Sequence, residues 1–258
     1  MIRKLLRGVL GFLVFLLFWY LATLGNKLGE IAPPYATFLG LIQLVEDGSL
    51  WQGIVASVFR VGWGFCLAAG VGIPLGVAYG WSQGIRETFN PVTQALRPIS
   101  PIAWIPVATI GFGGVNWFGI EAQDYSAIFL IFLSSFFPIV TATTSAVRGI
   151  DRKYIRSAEN FGVTGAELFR RVVVPAALPQ ILTGLRLALG ISWVVIVAAE
   201  MLGVDSGLGW QINDARSNIR YDLIQATMVV IAVIGLALDS AMSRVEFAAL
   251  ARRGMSVR

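Results

Sequence analysis

Histidine is absent from the 258 residues of this chain, and cysteine occurs once. Without histidine there can be no histidine-ligated metal site, no serine–histidine triad and no histidine proton relay. The single cysteine, Cys66, stands inside an apolar run and has no partner with which to form a disulfide within the chain. The sequence therefore excludes these kinds of catalytic and structural centre.

Charged residues are also scarce: they make up 14% of the chain, against about 25% in an average soluble domain. Hydrophobic residues make up 56%, more than one soluble core of this size can bury, so we expect a protein of the lipid bilayer. The net charge of +5 does not indicate a nucleic-acid partner, because the basic residues fall between apolar runs and form no continuous basic face. No G-x-x-x-x-G-K-[ST] loop occurs, so the chain does not bind ATP by that route.

Six apolar stretches approach the roughly 20 residues that a helix needs to cross the hydrocarbon core. The predicted spans cover residues 8–24, 58–80, 98–117, 126–147, 183–202 and 222–242. The first span follows a basic start, as in a signal peptide, but no clear cleavage site precedes Lys27, and we interpret it as a retained span. The third span is broken by proline and glycine. With no repeat and no flexible linker, residues 1–258 are predicted to form one all-α integral membrane domain.

The basic residues predict the orientation of the spans. If the N-terminus is cytoplasmic, 16 of the 20 basic residues fall on the inner side, and the outer side keeps only Lys27, Arg60, Arg216 and Arg220. With an odd number of spans, the basic residues would be shared more evenly between the two sides of the membrane. We therefore expect both termini, and the segment 148–182 between the fourth and fifth spans, in the cytoplasm.

The first outer loop, residues 25–57, is long enough to contain a short helix. The apolar residues of "LWQGIVASVFRV" are spaced to lie along the outer interface before the second span begins. The alternative is that this stretch simply extends the second helix toward its N-terminus.

The cytoplasmic segment 148–182 carries several helix start and stop signals. Residues 157–161 are compatible with one or two helical turns, and Gly162 offers a stop in the left-handed region. Thr164 and Glu167 have the spacing of a capping box, which predicts a second short helix over residues 165–171. Pro175 then opposes further helix. Two short helices at an angle would suit docking in a groove on a partner; the alternative is a solvated loop whose basic charge only fixes topology.

The same segment resembles the loop that permease subunits of binding-protein-dependent ABC importers carry, written E-A-A-x-x-x-G-x(9)-I-x-L-P. Gly162 takes the place of the glycine, nine residues follow, and "VVVP" at 172–175 takes the I-x-L-P places. Ser157 and Ala158 stand at the alanine pair, whereas Arg156 replaces the leading glutamate. The stretches "LRPISPIAWIPVATIGFG", "PAALPQILTGLRLALGISWVVIVAAEML" and "SGLG" are similar to the nitrate, sulfonate, taurine and bicarbonate branch, and the resemblance covers roughly residues 32–245.

This resemblance implies a type I importer fold of six transmembrane helices with a cytoplasmic coupling helix, in the bacterial inner membrane. It implies two permease copies, expected as a homodimer, around a path for a small anion such as nitrate, bicarbonate or an organosulfonate. Two ATPase subunits would bind ATP and Mg, so that this chain is non-catalytic and holds no cofactor, and a periplasmic or lipid-anchored binding protein would deliver the substrate. A passive channel or secondary anion transporter is the alternative; it would need charges at mid-membrane for ion coupling, and the acids here lie near span ends.

The resemblance also implies which residues take part in coupling to the ATPase. The residues expected in or beside the ATPase groove are Arg156, Ser157, Ala158, Glu159, Gly162, Gly165, Phe169 and Pro175.

Two acidic residues within the spans need a reason, because a charge in the bilayer is costly. Glu200, near the outer end of the fifth span, is predicted to act at the outer mouth as a gate, paired with Arg60; the alternative is an interfacial acid that reaches headgroups. Asp239, near the inner end of the sixth span, stands five residues from Arg244, a poor spacing for a pair within one helix. We therefore expect it to pair with another segment of the chain.

Small and hydroxyl residues of the spans carry two further expectations. Gly72, Gly76 and Gly80 have the four-residue spacing that lets helices approach closely, which predicts packing rather than ligand binding. Ser134, Ser135 and Thr141 of the fourth span could line a translocation path. They could equally bond to the backbone of their own helix.

Overall fold

The computed structural model describes residues 2–24, 31–114 and 119–251, and within these ranges the chain is helical and contains no β-strand. The all-α prediction is therefore confirmed for this part of the chain. The helices are α1 (Ile2–Leu24), α2 (Pro34–Glu46), α3 (Ser49–Trp81), α4 (Gln83–Leu96), α5 (Ile105–Phe112), α6 (Ala122–Arg148), α7 (Arg152–Asn160), α8 (Gly165–Leu168), α9 (Val174–Gly203), α10 (Leu208–Ser217) and α11 (Tyr221–Ala251).

Four helices in the described ranges are long and apolar enough to cross a membrane: α3, α6, the continuous helix Gly165–Gly203 that contains α8 and α9, and α11. A fifth crossing results if α4 and the bent segment Pro101–Phe112 are taken as one span. The first predicted span falls within α1, whose apolar part is Leu13–Leu24. Four or five apolar spans are thus shown, and a total of six stays a prediction.

The centre of the bundle is formed by α3, α6 and α9, and glycines on α3 allow its backbone to lie against α6. A Cβ atom added to Gly76 would lie 2.6 Å from Cβ of Thr143, and one added to Gly80 would lie 2.5 Å from Cβ of Val147. At Gly72 the same added atom would be 3.1 Å from Ile139. The predicted packing role of these glycines is confirmed, because side chains at these positions would force the two helices apart.

Helix α3 begins at Ser49, so the predicted separate interfacial helix in "LWQGIVASVFRV" is wrong and the alternative is correct. The stretch continues directly into the second span. Its buried residues recur every three or four positions, which keeps one face of a single helix turned toward the core. These residues are Leu50, Gly53, Ser57, Arg60, Val61 and Gly64.

The helix that contains the fifth predicted span is much longer than that span. A short π-helical segment, Phe169–Val173, joins α8 to α9, so that the helix runs unbroken through Pro175 to Gly203. Such a wider turn accommodates a residue that cannot donate a backbone hydrogen bond. The predicted stop at Pro175 is therefore wrong, because the helix that begins at Gly165 continues past it. The residue at which this helix enters the membrane, predicted as 183, stays a prediction.

The third predicted span contains the break that its prolines and glycines indicate. A 3-10 turn, Pro101–Trp104, and α5 follow α4 after a bend of 87°. The break separates the apolar segment Pro101–Phe112 from α4, which the prediction did not include. Residues 115–118, at the end of the predicted span, lie outside the described residues. Within the chain, α4 buries none of its residues.

Candidate functional site

The segment between α6 and the long helix, which we call the coupling loop (residues 149–164), is shaped by a cap at each end of α7. Asp151 accepts a hydrogen bond from the backbone N–H of Lys153 at 2.9 Å, and its carboxylate also pairs with the Lys153 ammonium. These two interactions lower the pKa of Asp151. The charge and the hydrogen bond both favour the ionised carboxylate at the helix start.

The end of α7 is a Schellman motif built on Gly162. The Val163 N–H donates to the carbonyl of Ala158 at 3.0 Å, and the Gly162 N–H donates to the carbonyl of Glu159 at 2.9 Å. Gly162 has φ +78°, the left-handed conformation predicted for it. Gly165 is also left-handed, with φ +58°. The two glycines turn the chain between α7 and α8.

The coupling loop exposes both charged and apolar side chains. The Phe161 side chain is 87% exposed, and Tyr154 is also exposed. Of the residues predicted to contact an ATPase, Arg156, Ser157, Glu159, Gly162 and Gly165 are exposed, Ala158 is half-buried, and no residue of α7 is buried. An exposed helix with protruding aromatic residues is a suitable surface for a protein partner.

The start of the long helix, directly after the coupling loop, is fixed to the bundle. Leu168 and Val173 are buried, and the ring of Phe169 packs edge-on against Trp81 of α3 with 5.7 Å between centroids. Phe169 and Pro175 are therefore half-buried on the bundle side of the segment. Their predicted contact with the ATPase stays a prediction.

The capping box predicted at Thr164 does not form. Thr164 is the N-cap residue of α8, but its side chain makes no capping hydrogen bond. Glu167 instead pairs with Arg171 at 2.9 Å, one helical turn farther along. The positive φ of Gly165 sets the start of the helix in place of the side-chain cap.

At the other end of the long helix lies a buried polar cluster, which we call the arginine–glutamate cluster: Ser57, Arg60, Asp124, Glu200 and Ser206. Glu200 is fully buried and Arg60 is 2% exposed. Nη1 of Arg60 lies 2.7 Å from Oε1 of Glu200, and Nε lies 2.6 Å from Oδ1 of Asp124. The predicted pairing of Glu200 with Arg60 is confirmed.

Both carboxylate oxygens of Glu200 have hydrogen-bond partners. The Ser57 hydroxyl lies 2.9 and 2.8 Å from its two oxygens, and the backbone N–H of Gly209 donates to Oε2 at 3.0 Å. Ser57 in turn accepts from the N–H of Leu208 at 3.0 Å. The carboxylate thus holds the start of α10 against α3 and α9, and these donors satisfy both of its buried oxygens.

The segment "SGLG" closes the cluster. Arg60 donates to the carbonyl of Ser206 at 2.8 Å and also to its hydroxyl. Gly207 has φ +102°, and a side chain at this position would overlap the carboxylate of Glu200. Sequence reasoning missed Ser57, Asp124 and Ser206, since no local pattern marks them and they meet Arg60 only through the packing of separate elements.

A second ion pair lies near the predicted inner ends of the spans. Arg186 of α9 donates from Nε and Nη2 to the two oxygens of Asp239 on α11, both at 2.6 Å. Thr183 donates to Glu246 at 2.7 Å beside it. The prediction that Asp239 pairs with another segment of the chain is confirmed, and the pair joins α9 to α11.

The predicted path residues lie on α6 and bond to their own helix. Ser134 and Ser135 are buried and both donate to the carbonyl of Ile131, and the half-buried Thr141 donates to Phe137 at 2.8 Å. Ser135 also contacts the hydroxyl of Ser192 on α9. This is the backbone bonding that the sequence left as an alternative; a role in lining a path stays a prediction for all three.

Comparison with known proteins gives consistent matches. Residues 70–252 match the family model described as binding-protein-dependent transport system inner membrane component. The chain is 36% identical over 193 residues to the taurine transport system permease protein TauC of Escherichia coli (strain K12), covering 75% of this chain and 67% of that protein. It is 38% identical over 198 residues to the bicarbonate transport system permease protein CmpB of Synechococcus elongatus, covering 76% and 67%.

Among solved structures, the chain is similar to a chain of the MetNI methionine ABC transporter in inward-facing conformations. The TM-score is 0.60 at 19% identity, and the match covers 78% of this chain and 94% of that chain. At this identity the similarity is one of fold.

Proposed function

This chain belongs to the binding-protein-dependent transport system inner membrane components, and from that membership we propose that it forms, as a homodimer, the path of an ATP-driven importer for a small anion. The family consists of ABC transporter permeases, which are transport components of the inner membrane rather than enzymes. ATP and Mg bind to separate ATPase subunits, and this chain holds no cofactor. A binding protein delivers the substrate to the outer face.

The observation that carries the proposal is the position of the coupling loop. It is an exposed helical segment at one end of a continuous helix of 39 residues, Gly165–Gly203, whose length is about 58 Å. The exposed aromatic rings and charges of α7 form the surface that an ATPase subunit binds. The distribution of basic residues along the chain supports a cytoplasmic position for this surface.

The long helix gives the loop a mechanical connection to the opposite side of the membrane. At its outer end Glu200 bonds to groups on α3 and α10, and at its inner end Phe169 packs on Trp81. Displacement of the loop by closure of the ATPase pair therefore moves a unit that contains the helix and the arginine–glutamate cluster. Rigid-body motion of this kind opens the path alternately to each side.

The chemical class of the substrate follows from the relatives. TauC is named for taurine, which carries a sulfonate, and CmpB is named for bicarbonate. Bicarbonate is an anion and taurine is a zwitterion with an anionic sulfonate, so both present negatively charged oxygen atoms, and nitrate shares this character. We propose that the cargo of this importer is a member of this class, namely nitrate, bicarbonate or an organosulfonate.

Transport by reconstituted protein tests the proposal. The permease is purified with its ATPase, placed in liposomes, and supplied with the binding protein and labelled taurine or nitrate. Uptake that requires ATP and the binding protein is the expected result. Uptake that proceeds down a gradient without ATP would contradict it and indicate a passive channel instead.

A further inference from the structure

Ile219, in the turn between α10 and α11, has an unusual backbone conformation. Within residues 2–24, 31–114 and 119–251 it is the one non-glycine residue with a positive φ, at 56°. A β-branched side chain in the left-handed region is a steric outlier, because its Cβ crowds the adjacent backbone. An outlier of this kind raises the question of what holds isoleucine at this position.

The local fold does not require isoleucine here. The Arg220 N–H donates to the carbonyl of Ala215 at 2.8 Å and the Ile219 N–H donates to that of Arg216 at 3.1 Å, which makes a Schellman motif at the end of α10. The same motif ends α7, and there the corresponding residue is Gly162. Glycine adopts this conformation without strain. The motif alone would therefore favour glycine at position 219.

Packing within the chain does not explain the side chain either, since Ile219 is 69% exposed. Nor does it lie in the hydrocarbon core. The uncharged part of α11, residues 223–238, is bracketed by the Arg220–Asp222 and Arg186–Asp239 ion pairs. Sixteen helical residues span about 24 Å, close to the thickness of the core. Ile219 lies beyond the outer bracket, in a polar stretch.

The surroundings of Ile219 match those of a protein-binding anchor. The guanidinium of Arg216, three residues earlier, is exposed and makes no hydrogen bond or ion pair to any described residue, whereas that of Arg220 is held by Asp222 and Gln43. Arginine is enriched among the residues that contribute most to binding between proteins, and the apolar side chain of Ile219 beside it adds surface that a partner can bury. The unpaired cation also specifies acidic groups on the partner.

The base beneath this patch is rigid. Helix α10 buries Leu208, Gln211, Ile212 and Ala215, and Gln211 donates to the carbonyl of Ser49 on α3. The start of α10 is bonded to Glu200 through Gly209. A side chain presented on a fixed helix loses little freedom on binding, so its burial by a partner contributes more to affinity.

We propose that Ile219 and Arg216 form the anchor by which this chain docks the substrate-delivering binding protein, with Ile219 in an apolar pocket rimmed by carboxylates. The inference rests on the proposed function and on the outer placement of the α10–α11 turn. The arginine–glutamate cluster then connects the docked protein to the outer end of the long helix.

The test measures docking through ATP hydrolysis. The permease–ATPase complex is reconstituted in nanodiscs, and the probe is the binding protein whose addition stimulates ATP hydrolysis by the wild-type complex. The variants are Ile219→Gly and Ile219→Asn, which fit the left-handed conformation without the apolar side chain, and Ile219→Leu, which keeps an apolar side chain. Arg216→Gln removes the cation.

Removal of the apolar side chain should raise the half-saturating concentration of binding protein by about tenfold in the Gly and Asn variants. The Leu variant should stay within about twofold, and Arg216→Gln should reduce the dependence of this concentration on salt. The unfolding temperature of Ile219→Gly should equal or exceed that of the wild type, since strain is relieved. That combination separates docking from a structural role.

Two results would overturn the inference alone. One is an unchanged half-saturating concentration in both the Gly and Asn variants, which would make Ile219 a helix cap without a partner. The other is a change of equal size in ATP hydrolysis measured without the binding protein, which would indicate contact with lipid. If no binding protein stimulates the wild-type complex, the proposed function fails and the inference fails with it.

Discussion

The guanidinium of Arg60 and the carboxylate of Glu200 lie 2.7 Å apart in the interior of the protein, although 140 residues separate them in the chain. Arg60 belongs to α3 and Glu200 to the long helix, so their contact joins the second and fifth predicted spans. Around them, Asp124 adds α6, and Ser206 adds the segment before α10. The two ion pairs of Arg60 thus fix the ends of three helices relative to each other.

Loss of Arg60 should be costly for folding. Arg60→Met leaves the buried carboxyl group of Glu200 without its cation, and we expect the free energy of unfolding to fall by about 3–5 kcal/mol, the usual cost of removing one partner of a buried pair. Thermal unfolding of the detergent-purified protein measures this. Arg216→Met, at an exposed arginine, is the control and should stay within about 0.5 kcal/mol. Equal stability of the two variants would contradict a structural role for the pair.

Glu200→Gln tests the gate. Glutamine keeps the shape of the side chain, and Arg60 retains Asp124 and Ser206 as partners, so we expect a folded protein about 1–3 kcal/mol less stable. If Glu200 takes part in opening the outer mouth, uptake per folded complex should fall several-fold. Uptake in proteoliposomes, normalised to folded protein, is the measurement. Wild-type uptake kinetics would leave Glu200 with a structural role only.

Two glycines on α3 provide a matched pair for the contact between α3 and α6. A methyl group at Gly76 would meet Thr143 and the backbone of α6, whereas nothing lies within 4 Å of the same atom at Gly70. We expect Gly76→Ala to destabilise by about 1–3 kcal/mol through overpacking. Gly70→Ala should be neutral or stabilising by up to about 1 kcal/mol, since alanine favours the helix. The difference between their unfolding temperatures is the measurement, and the opposite order would contradict the packing.

Gly162→Val tests the coupling loop. Space is not the obstacle, because nothing lies within 4 Å of an added Cβ, but the φ of +78° is unfavourable for a β-branched residue. The end of α7 should therefore change course, and we expect ATP-dependent uptake to fall by about tenfold or more with the spans still folded. Gly84→Val, at an exposed glycine of α4 with open space and no positive φ, is the control. If co-purification of the ATPase and uptake both persist in Gly162→Val, the loop does not dock the ATPase.

The sequence by itself determined the membrane character of the protein and several local features. Apolar runs long enough for the bilayer give spans in any packing, because water cannot solvate them there. The turn at Gly162 was predictable because few residues other than glycine adopt a positive φ. The close packing at Gly76 was predictable because a larger side chain would keep two helices apart. That Glu200 and Asp239 each have a partner was predictable because an unpaired charge in the bilayer is costly.

Tertiary structure alone decided where helices continue and which partners meet. Pro175 has the local properties of a helix end, yet the long helix passes through it because Val173 and Ala177 are buried in the bundle on either side. Asp124 and Ser206 come to Arg60 only through the rotation and depth of separate helices. Ile219 adopts a left-handed backbone conformation, which a β-branched residue disfavours. Local sequence determines whether a segment prefers lipid or water and which backbone angles it adopts without strain. Contacts between distant residues depend instead on how whole helix surfaces pack together.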